Sequence, residues 1–290
     1  MTENAVGSRE RWPAPGKLNL MLRVVGRRPD GYHLLQTVFQ FIDRFDWLSF
    51  DVRSDRRVGL QSLLPGVPQE QDLTVRAACL LQKAAGCRYG VDIQVEKRLP
   101  MGGGLGGGSS DAATTLVALN KLWDVGFSAE RLCELGIQLG ADVPVFVTGR
   151  SAWAEGVGEQ LTPIELPTPW YVVIVPACHV STAKIFSSPG LTRDSKPIKI
   201  KDFISGCHDN DCLAVVRQTH RPVSAALSDL ARFGKSRLTG TGACVFAAFD
   251  SLNRAQNAAN KLSDRWQVFV TKGVNRSPLY DKLALCDADI

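Results

Sequence analysis

The sequence lacks the features that would place it in a membrane or outside the cell. None of its apolar runs approaches the roughly 20 residues that a membrane-spanning helix needs. Residues 1–11 are polar and contain no apolar core of the kind found in a signal peptide. No internal repeat of solenoid period is present. We therefore expect a cytoplasmic globular protein that has no membrane partner.

The eight cysteines are scattered, and no two of them form a Cys-x-x-Cys pair. Their positions inside apolar runs predict reduced and mostly buried thiols, as in cytosolic proteins. The segment from Cys207 to Cys212 also contains a histidine and two aspartates. Zinc sites usually combine two such clusters, and the sequence has no second one. We therefore expect a polar loop that leads into a helix there, rather than a metal site.

The sequence also lacks a strong excess of charge. Its net charge of +5 is too diffuse to predict a nucleic-acid partner, but it suits a protein that handles small anionic molecules. A length of 290 residues is natural for two domains. Glycines and prolines are frequent in residues 156–169, which predicts a crossing between a domain of residues 1–160 and one of residues 161–290.

The most informative feature that is present is a glycine loop, in which residues 102–108 hold six glycines around one leucine. An alternating strand-like run at residues 91–95 precedes the loop, and a helix-like run that begins near Ala112 follows it. Glycines allow backbone N–H groups to approach a ligand, and a helix N-terminus adds partial positive charge. The pattern therefore predicts a phosphate cradle. The alternative is a flexible linker, which is rarely bounded so sharply by two patterned elements.

Three common nucleotide-binding motifs do not describe this loop. The one Gly-Lys-Ser of the chain, at residues 234–236, has Asp229 where a Walker loop needs glycine. Gly102, Gly104 and Gly107 satisfy G-x-G-x-x-G, but no strand and acidic residue follow as a dinucleotide-binding unit requires. The His-Arg-Asp and Asp-Phe-Gly signatures of protein kinases are absent. The loop therefore predicts nucleotide binding of another class.

Periodicity predicts an α+β fold rather than a doubly wound sheet. An amphipathic helix is expected from Asp72 to Ala85, ended by Gly86, and Ser128 is expected to cap a helix that runs to Leu139. The C-terminal part predicts a split β-α-β arrangement of ferredoxin-like type, with helical patterns from about residues 209 and 222. The expected strands are residues 17–25, 34–42, 47–52, 145–147, 152–155, 170–176, 243–249 and 267–272, and a further helix is expected at 252–262.

Three segments, in this order along the chain, resemble the motifs of the GHMP small-molecule kinases. They are residues 13–20 (PAPGKLNL), the segment 99–111 with the glycine loop, and residues 238–244 (LTGTGAC). The resemblance implies a two-domain GHMP kinase fold. It has an N-terminal ATP-binding α/β domain, a C-terminal ferredoxin-like domain, and an active site in the cleft between them. Two further segments make the resemblance more specific. At Gly31-Tyr32-His33 and at residues 140–144 (GADVP), the sequence is most similar to those GHMP kinases that bind a cytidine diphosphate group.

The resemblance also implies a role for each motif residue. Asp142 would be the general base, and Lys17 would hold that carboxylate and the acceptor hydroxyl group. Mg²⁺ would accompany ATP, with Ser109 or Ser110 as a ligand. ATP would lie along Pro100, Met101, Gly102, Gly103, Gly104, Leu105, Gly106, Gly107, Gly108, Ser109 and Ser110. The acceptor substrate would contact Asn19, Tyr32, His33 and Phe186.

The implied reaction is ATP-dependent phosphorylation of the 2-hydroxyl group of a CDP-linked methylerythritol in non-mevalonate isoprenoid precursor biosynthesis. The alternatives are another GHMP kinase, for homoserine, mevalonate or a sugar, and a non-catalytic nucleotide-binding module on the same scaffold. The expected state is a monomer or weak homodimer. One residue departs from the family, which commonly has asparagine where this chain has Asp111. A carboxylate there could touch the metal, favour the helix N-terminus or repel phosphate.

Taken alone, each of these side chains has an ordinary structural interpretation. Asp142 precedes Val-Pro and could simply form a turn. Lys17 could be a surface lysine at a strand start, and His33 could be a structural histidine. Tyr32 and Phe186 could be packing residues. Only the shared motif context favours the functional interpretation.

Overall fold

The computed structural model describes residues 10–61 and 66–288, so the polar segment 1–9 lies outside the described residues. Within these ranges the chain forms ten strands, ten α-helices and one short 3-10 helix at Gln69–Gln71. The strands are β1 Arg11–Arg27, β2 His33–Arg53, β3 Val58–Leu60, β4 Gly90–Glu96, β5 Ala152–Glu155, β6 Gln160–Pro163, β7 Trp170–Val175, β8 Arg237–Leu238, β9 Val245–Phe249 and β10 Gln267–Val274. The helices are α1 Leu73–Ala85, α2 Gly107–Leu122, α3 Ala129–Gly136, α4 Val143–Thr148, α5 Thr182–Ser187, α6 Ile200–Ile204, α7 Leu213–Thr219, α8 Arg221–Ala231, α9 Leu252–Leu262 and α10 Pro278–Ala288.

A long antiparallel hairpin of β1 and β2 organises the N-terminal half. The two strands expected at residues 34–42 and 47–52 are one continuous strand, which pairs with β1 along its length. The register of β1 shifts between Pro15 and Lys17 and again between Asn19 and Met21. Such irregularities bend a strand and redirect its side chains. Lys17 and Asn19 therefore lie in the part of β1 where the pairing is least regular.

The C-terminal half has the expected ferredoxin-like arrangement. Its strands stand in the order β10-β7-β9-β8, and each neighbouring pair is antiparallel. Helix α8 precedes β8, and α9 connects β9 to β10. Because β10 also pairs with β2, at Gly273 with Ile42 and at Val274 with Phe41, the strands of both halves form one continuous sheet.

Several helix ends follow from local capping. The Asp72 carboxylate accepts the Thr74 N–H group at the start of α1, and Gly86 ends that helix with a φ of 62°. The Ser128 hydroxyl accepts the Arg131 N–H group at the start of α3, but α3 ends at Gly136 rather than at residue 139. The expected crossing at residues 156–169 contains β6, which pairs with β5.

One expected strand is wrong, because residues 145–147 lie in the helix α4. Pro144 stands in the first turn of α4, where its missing N–H group costs no hydrogen bond. Val145, Phe146 and Val147 are all buried, so the run is uniformly apolar and carries no periodicity to separate helix from strand. Asp142 lies directly before the first residue of α4.

Three groups of buried side chains fill the interior. The first packs α1, α2 and α4 against β2 and β4, and the second packs α8 and α9 against β7 and β9. The third joins them and includes Leu18, Leu105 and Tyr171. Strand β1 contributes to all three, which fixes its position in the molecule. No helix in residues 10–61 or 66–288 has the length and apolar character to cross a membrane.

Candidate active site

A cavity of about 730 Å³ opens where the β1–β2 hairpin, the glycine loop and α5 meet. Its lining combines residues from every motif that the sequence singled out. These are Lys17, Asn19, Tyr32, His33, Gly104, Gly106, Ser109, Asp142, Phe186, Gly240 and Thr241. Concave sites with a few convergent polar groups are where proteins bind small molecules.

An ion pair between Lys17 and Asp142 lies in the wall of this cavity. The Lys17 Nζ atom is 3.0 Å from Asp142 Oδ2, and the side chains are 4% and 33% exposed. Nζ also donates to Asn19 Oδ1 at 2.6 Å and to the Gly104 carbonyl oxygen at 3.1 Å. These contacts occupy the three hydrogens of the ammonium group and fix its position. The carboxylate of Asp142 remains open to a ligand.

The glycine loop has the backbone that a phosphate cradle requires. Gly102, Gly104 and Gly106 have φ values of 67°, 78° and 73°, in the left-handed region that favours glycine. Alternating backbone of this kind turns N–H groups toward a common point. Helix α2 begins at Gly107, and its first turn offers further N–H groups.

The loop is also tightly enclosed at Gly104 and Gly106, where a side chain has no space. A Cβ atom on Gly104 would lie 2.4 Å from the Thr239 carbonyl oxygen, and one on Gly106 would lie 2.7 Å from Phe146 Cζ. The Thr239 hydroxyl donates to the Gly104 carbonyl and accepts the Asn19 N–H group. The segment 238–244 therefore holds β1 and the glycine loop together.

The segment 207–212, which was considered above as a possible metal site, also helps to connect β1 with the segment 238–244. Asn210 Nδ2 donates to the carbonyl oxygens of Leu238 and Gly240, and Asp211 Oδ2 accepts the Val24 N–H group at 2.6 Å. Cys212 is buried directly before α7. In the part of the chain that the structure describes, no cluster of three or more His, Cys, Asp or Glu side chains is arranged to hold a metal ion.

Comparison with known proteins agrees with this arrangement. Residues 72–150 match the model of the GHMP kinases N terminal domain, and residues 193–268 match the model called GHMP kinases C terminal. The 4-diphosphocytidyl-2-C-methyl-D-erythritol kinase of Methylococcus capsulatus is 57% identical over 94% of both chains. The enzyme of that name from Nitrosococcus oceani is 56% identical over 94% of this chain and 97% of its own. The chain belongs to this family of GHMP kinases.

Solved structures support the fold of this kinase. A crystal structure of 4-(cytidine 5'-diphospho)-2C-methyl-D-erythritol kinase has a TM-score of 0.79 and 31% identity, covering 92% of this chain and 100% of its own. Methanococcus jannaschii mevalonate kinase has a TM-score of 0.67 at 14% identity, covering 93% and 100%, which shows the shared fold alone. The expected GHMP fold and small-molecule kinase class are therefore confirmed.

The kinase brings its three predicted ring side chains to one end of the cavity. The rings of His33 and Phe186 stack with centroids 5.0 Å apart and planes at 27°. Tyr32 is 64% exposed, so one face of its ring is available to a ligand. Burial, together with the charges of Arg193 and Arg27, lowers the pKa of His33 below its ordinary value. This histidine is therefore neutral at pH 7.

The predicted ATP residues occupy different environments. Gly104, Gly106 and Ser109 line the cavity, whereas the other predicted members of the loop do not. Met101 is exposed, and the side chains of Leu105 and Ser110 are buried in the protein. Leu105 therefore has only backbone atoms to offer a ligand.

Asp111, the departure from the family pattern, does not face the cavity. Its Oδ2 atom is 2.6 Å from Lys97 Nζ, and the same ammonium also contacts Asp46. Burial, against the opposing effect of Lys97, raises the pKa of Asp111 to about 7. Burial disfavours the charged form of Lys97, but the carboxylates of Asp111 and Asp46 outweigh this effect and raise the pKa of Lys97. Asp111 therefore belongs to a buried ion cluster behind the glycine loop.

Sequence patterns missed several side chains of the site. Phe39 lies beneath Lys17, with its ring centroid 5.4 Å from Nζ, and the Thr37 hydroxyl accepts a hydrogen bond from Asn19 Nδ2. Strand alternation along β2 could have placed both on the inner face. Arg193, which contacts His33, lies in an irregular segment and gave no signal.

Proposed function

We propose that this kinase transfers the γ-phosphate of ATP to the 2-hydroxyl group of 4-diphosphocytidyl-2-C-methyl-D-erythritol. The reaction is a step of non-mevalonate isoprenoid precursor biosynthesis. The observation that carries the proposal is the convergence of the Lys17–Asp142 pair, the glycine loop and three ring side chains on one cavity. Relatives of this name at 55–57% identity supply the substrate class.

Asp142 acts as the general base in this proposal. Its carboxylate accepts the proton of the 2-hydroxyl group as the hydroxyl oxygen attacks the γ-phosphorus and ADP leaves. Lys17 lies 3.0 Å from the carboxylate and orients it. The same ammonium offsets negative charge that develops on the transferring phosphoryl group. Positioning and charge neutralisation are the main requirements of phosphoryl transfer.

The glycine loop binds the phosphates of ATP. The first turn of α2 contributes N–H groups at Gly107, Gly108 and Ser109, ahead of the hydrogen bond from Ser110 N–H to the Gly106 carbonyl. Mg²⁺ would neutralise phosphate charge, and oxygen ligands suit that ion. Of the two candidate serines, Ser109 lines the cavity, whereas the Ser110 hydroxyl is buried without a hydrogen-bond partner among the described residues. Ser109 is therefore the better ligand.

The cytidine group occupies the end of the cavity that Tyr32, His33 and Phe186 line. Because the His33 and Phe186 rings already stack on each other, the exposed face of Tyr32 is the surface for stacking the base. Asn19 holds Lys17 and contributes to the acceptor side of the cavity.

We retain the division into residues 1–160 and 161–290, with the cavity between them. Lys17, Asp142 and Tyr32 come from the first part, and Phe186 and Thr241 come from the second. We also propose a monomer or weak homodimer as the functional state. We place the kinase in the cytoplasm, where its small-molecule substrates would be available.

A substrate screen tests the proposed reaction. Purified protein would be incubated with Mg-ATP and either the cytidyl substrate, homoserine, mevalonate or a hexose, and ADP release would be measured. We expect turnover of the cytidyl substrate alone, with the new phosphate on the 2-hydroxyl group by ³¹P NMR. Turnover of another alcohol instead would indicate another GHMP kinase activity. ATP binding without transfer to any of them would indicate a non-catalytic module.

Replacing the proposed base tests the mechanism. Asp142→Asn keeps the shape of the side chain but removes the proton acceptor, so we expect kcat to fall by about 10²- to 10⁴-fold. The ATP dissociation constant should not change, because the substitution leaves the glycine loop intact. Asp264→Asn, at an exposed aspartate outside the cavity, is the matched control. Turnover of Asp142→Asn near that of the wild type would remove Asp142 from the mechanism.

A further inference from the structure

We propose that Arg193 sets the nucleobase preference of this kinase by fixing the tautomer of His33. The inference rests on the proposed function, because it assumes that a cytosine base lies beside His33. It adds a positioning residue that acts through His33 and touches no reacting group. It also explains how one neutral ring can favour cytosine over uracil.

Arg193 connects the two stacked rings. Its Nε atom lies 3.2 Å from His33 Nε2, and its Nη2 atom donates to the carbonyl oxygen of Phe186 at 2.9 Å. Nη2 also donates to the Ser188 carbonyl at 2.7 Å, and Nη1 donates to the Leu191 carbonyl at 3.2 Å. The guanidinium group is thus held by three backbone carbonyls, so its direction toward His33 is fixed.

This contact determines where the histidine hydrogen lies. A guanidinium group donates hydrogen bonds and cannot accept them. His33 Nε2 must therefore be the acceptor, and the ring hydrogen of neutral His33 must be on Nδ1. The doubly protonated ring is excluded, because its Nε2–H group would face the N–H group of Arg193.

The remaining nitrogen of His33 is available to a ligand. Within residues 10–61 and 66–288, no group forms a hydrogen bond with Nδ1, and His33 lines the cavity. Stacking on Phe186 fixes the plane of the ring, and Arg193 fixes its rotation by holding Nε2. His33 therefore presents a single, oriented N–H donor.

A fixed donor distinguishes the two pyrimidines at N3. Cytosine N3 is an acceptor, whereas uracil N3 carries a hydrogen. The Nδ1–H group of His33 pairs with cytosine N3 but meets a second donor in uracil. The opposite tautomer would reverse this preference. Leaving a polar group unpaired in such a site is the effective way to reject an analogue.

Two measurements on Arg193→Met, Arg193→Lys and a matched exposed control, Arg88→Met, test the inference. The first is ¹⁵N NMR of the histidine rings in the ligand-free protein, with the His33 signals assigned from His33→Gln. The chain has only four histidines, which makes assignment direct. We expect hydrogen on Nδ1 in the wild type and the control, and a mixture with the Nε2–H form in Arg193→Met. Arg193→Lys, which keeps a donor, should restore Nδ1–H in part.

The second measurement is the affinity for CDP and for UDP by isothermal titration. We expect the wild type to prefer CDP, and the preference to fall by roughly tenfold in Arg193→Met, the equivalent of one hydrogen bond. With saturating substrate, kcat should remain near the wild-type value, since Arg193 touches no reacting group. An Nε2–H tautomer in the wild type would overturn the inference. So would an unchanged CDP preference in folded Arg193→Met. A wild type without kinase activity on the cytidyl substrate would instead refute the proposed function, while the tautomer measurement would still test the Arg193 contact.

Discussion

At the scale of the residue, two nearly buried lysines perform different tasks. Lys17 holds Asp142, whose side chain is one-third exposed and faces the cavity. Lys97 holds Asp111 and Asp46, whose side chains are 4% and 0% exposed. A carboxylate needs access to a substrate to act as a base, and of these three carboxylates Asp142 alone lines the cavity. Asp46 and Asp111 share one ammonium, and the second oxygen of Asp111 has no hydrogen-bond partner among the described residues.

The buried cluster predicts an unusual dependence of stability on pH. The pKa of Asp111 is raised from 3.8 to about 7, so the folded state holds the proton more tightly than the unfolded state. The contribution of this group is thus fully present below pH 3.8 and is lost as the pH rises from there to about 7. Asp111→Asn cannot lose a proton. Its free energy of unfolding should therefore rise relative to the wild type by roughly 2–3 kcal/mol between pH 5 and pH 8.

Urea denaturation at several pH values measures this difference. Asp264→Asn, which replaces an exposed aspartate, is the control and should show no such trend. A difference between Asp111→Asn and wild type that stays constant with pH would show that Asp111 is ionised throughout. The cluster would then be an ordinary buried ion pair.

At the scale of the element, the glycine loop joins the ligand site to the interior. Gly106 stands before α2 with a φ of 73°, and beneath it lies Phe146 of α4. Phe146 is fully buried and cannot move without disturbing the N-terminal core. The loop therefore depends on both its backbone conformation and its close packing.

A pair of alanine substitutions separates these two contributions. Gly86 has a similar φ of 62° at the end of α1, but a Cβ atom there would have no neighbour within 4 Å. Gly86→Ala should lower the free energy of unfolding by about 1–2 kcal/mol, the cost of left-handed backbone. Gly106→Ala should lower it further, because its Cβ atom would lie 2.7 Å from Phe146 Cζ, and should also weaken ATP binding. Thermal denaturation and ATP titration measure both effects. Equal destabilisation by the two variants would contradict the packing argument.

At the scale of the whole molecule, a buried polar contact links the two halves of the sheet. The Tyr171 hydroxyl of β7 donates to Gln40 Oε1 of β2 at 2.5 Å, across the intervening strand β10. Gly273 of β10 makes room for it, since a Cβ atom there would lie 2.9 Å from Tyr171 Cε2. Burial raises the pKa of Tyr171 to about 12, so the hydroxyl keeps its hydrogen and remains a donor.

Removing the Tyr171 hydroxyl should lower the free energy of unfolding without changing the catalytic rate. Tyr171→Phe leaves the fully buried Gln40 without a donor to Oε1, which should cost about 1–3 kcal/mol of unfolding free energy. The kcat should not change, because neither residue lines the cavity. Tyr89→Phe removes the same group from a half-exposed ring and is the control. Equal stability of the two variants in urea would show that the contact contributes nothing to the link between the halves.

The sequence by itself determined the family, the reaction class and most local structure. The glycine loop and the two segments around Lys17 and Thr239 identified a GHMP kinase, which the comparisons confirm. Helix α9 and the ferredoxin-like type of the C-terminal part were also predicted correctly. These features could be predicted because capping, glycine conformation and side-chain periodicity act between residues that are close in sequence. The roles of the individual site residues stay predictions.

Only the tertiary structure decided which side chains meet. It turned Asp111 into the interior and brought Arg193 to His33. It also made residues 145–147 helical, where a uniformly buried apolar run carries no period. Such outcomes depend on packing between distant parts of the chain, because burial and the approach of opposite charges set the position and protonation of each side chain. No local pattern encodes those distances.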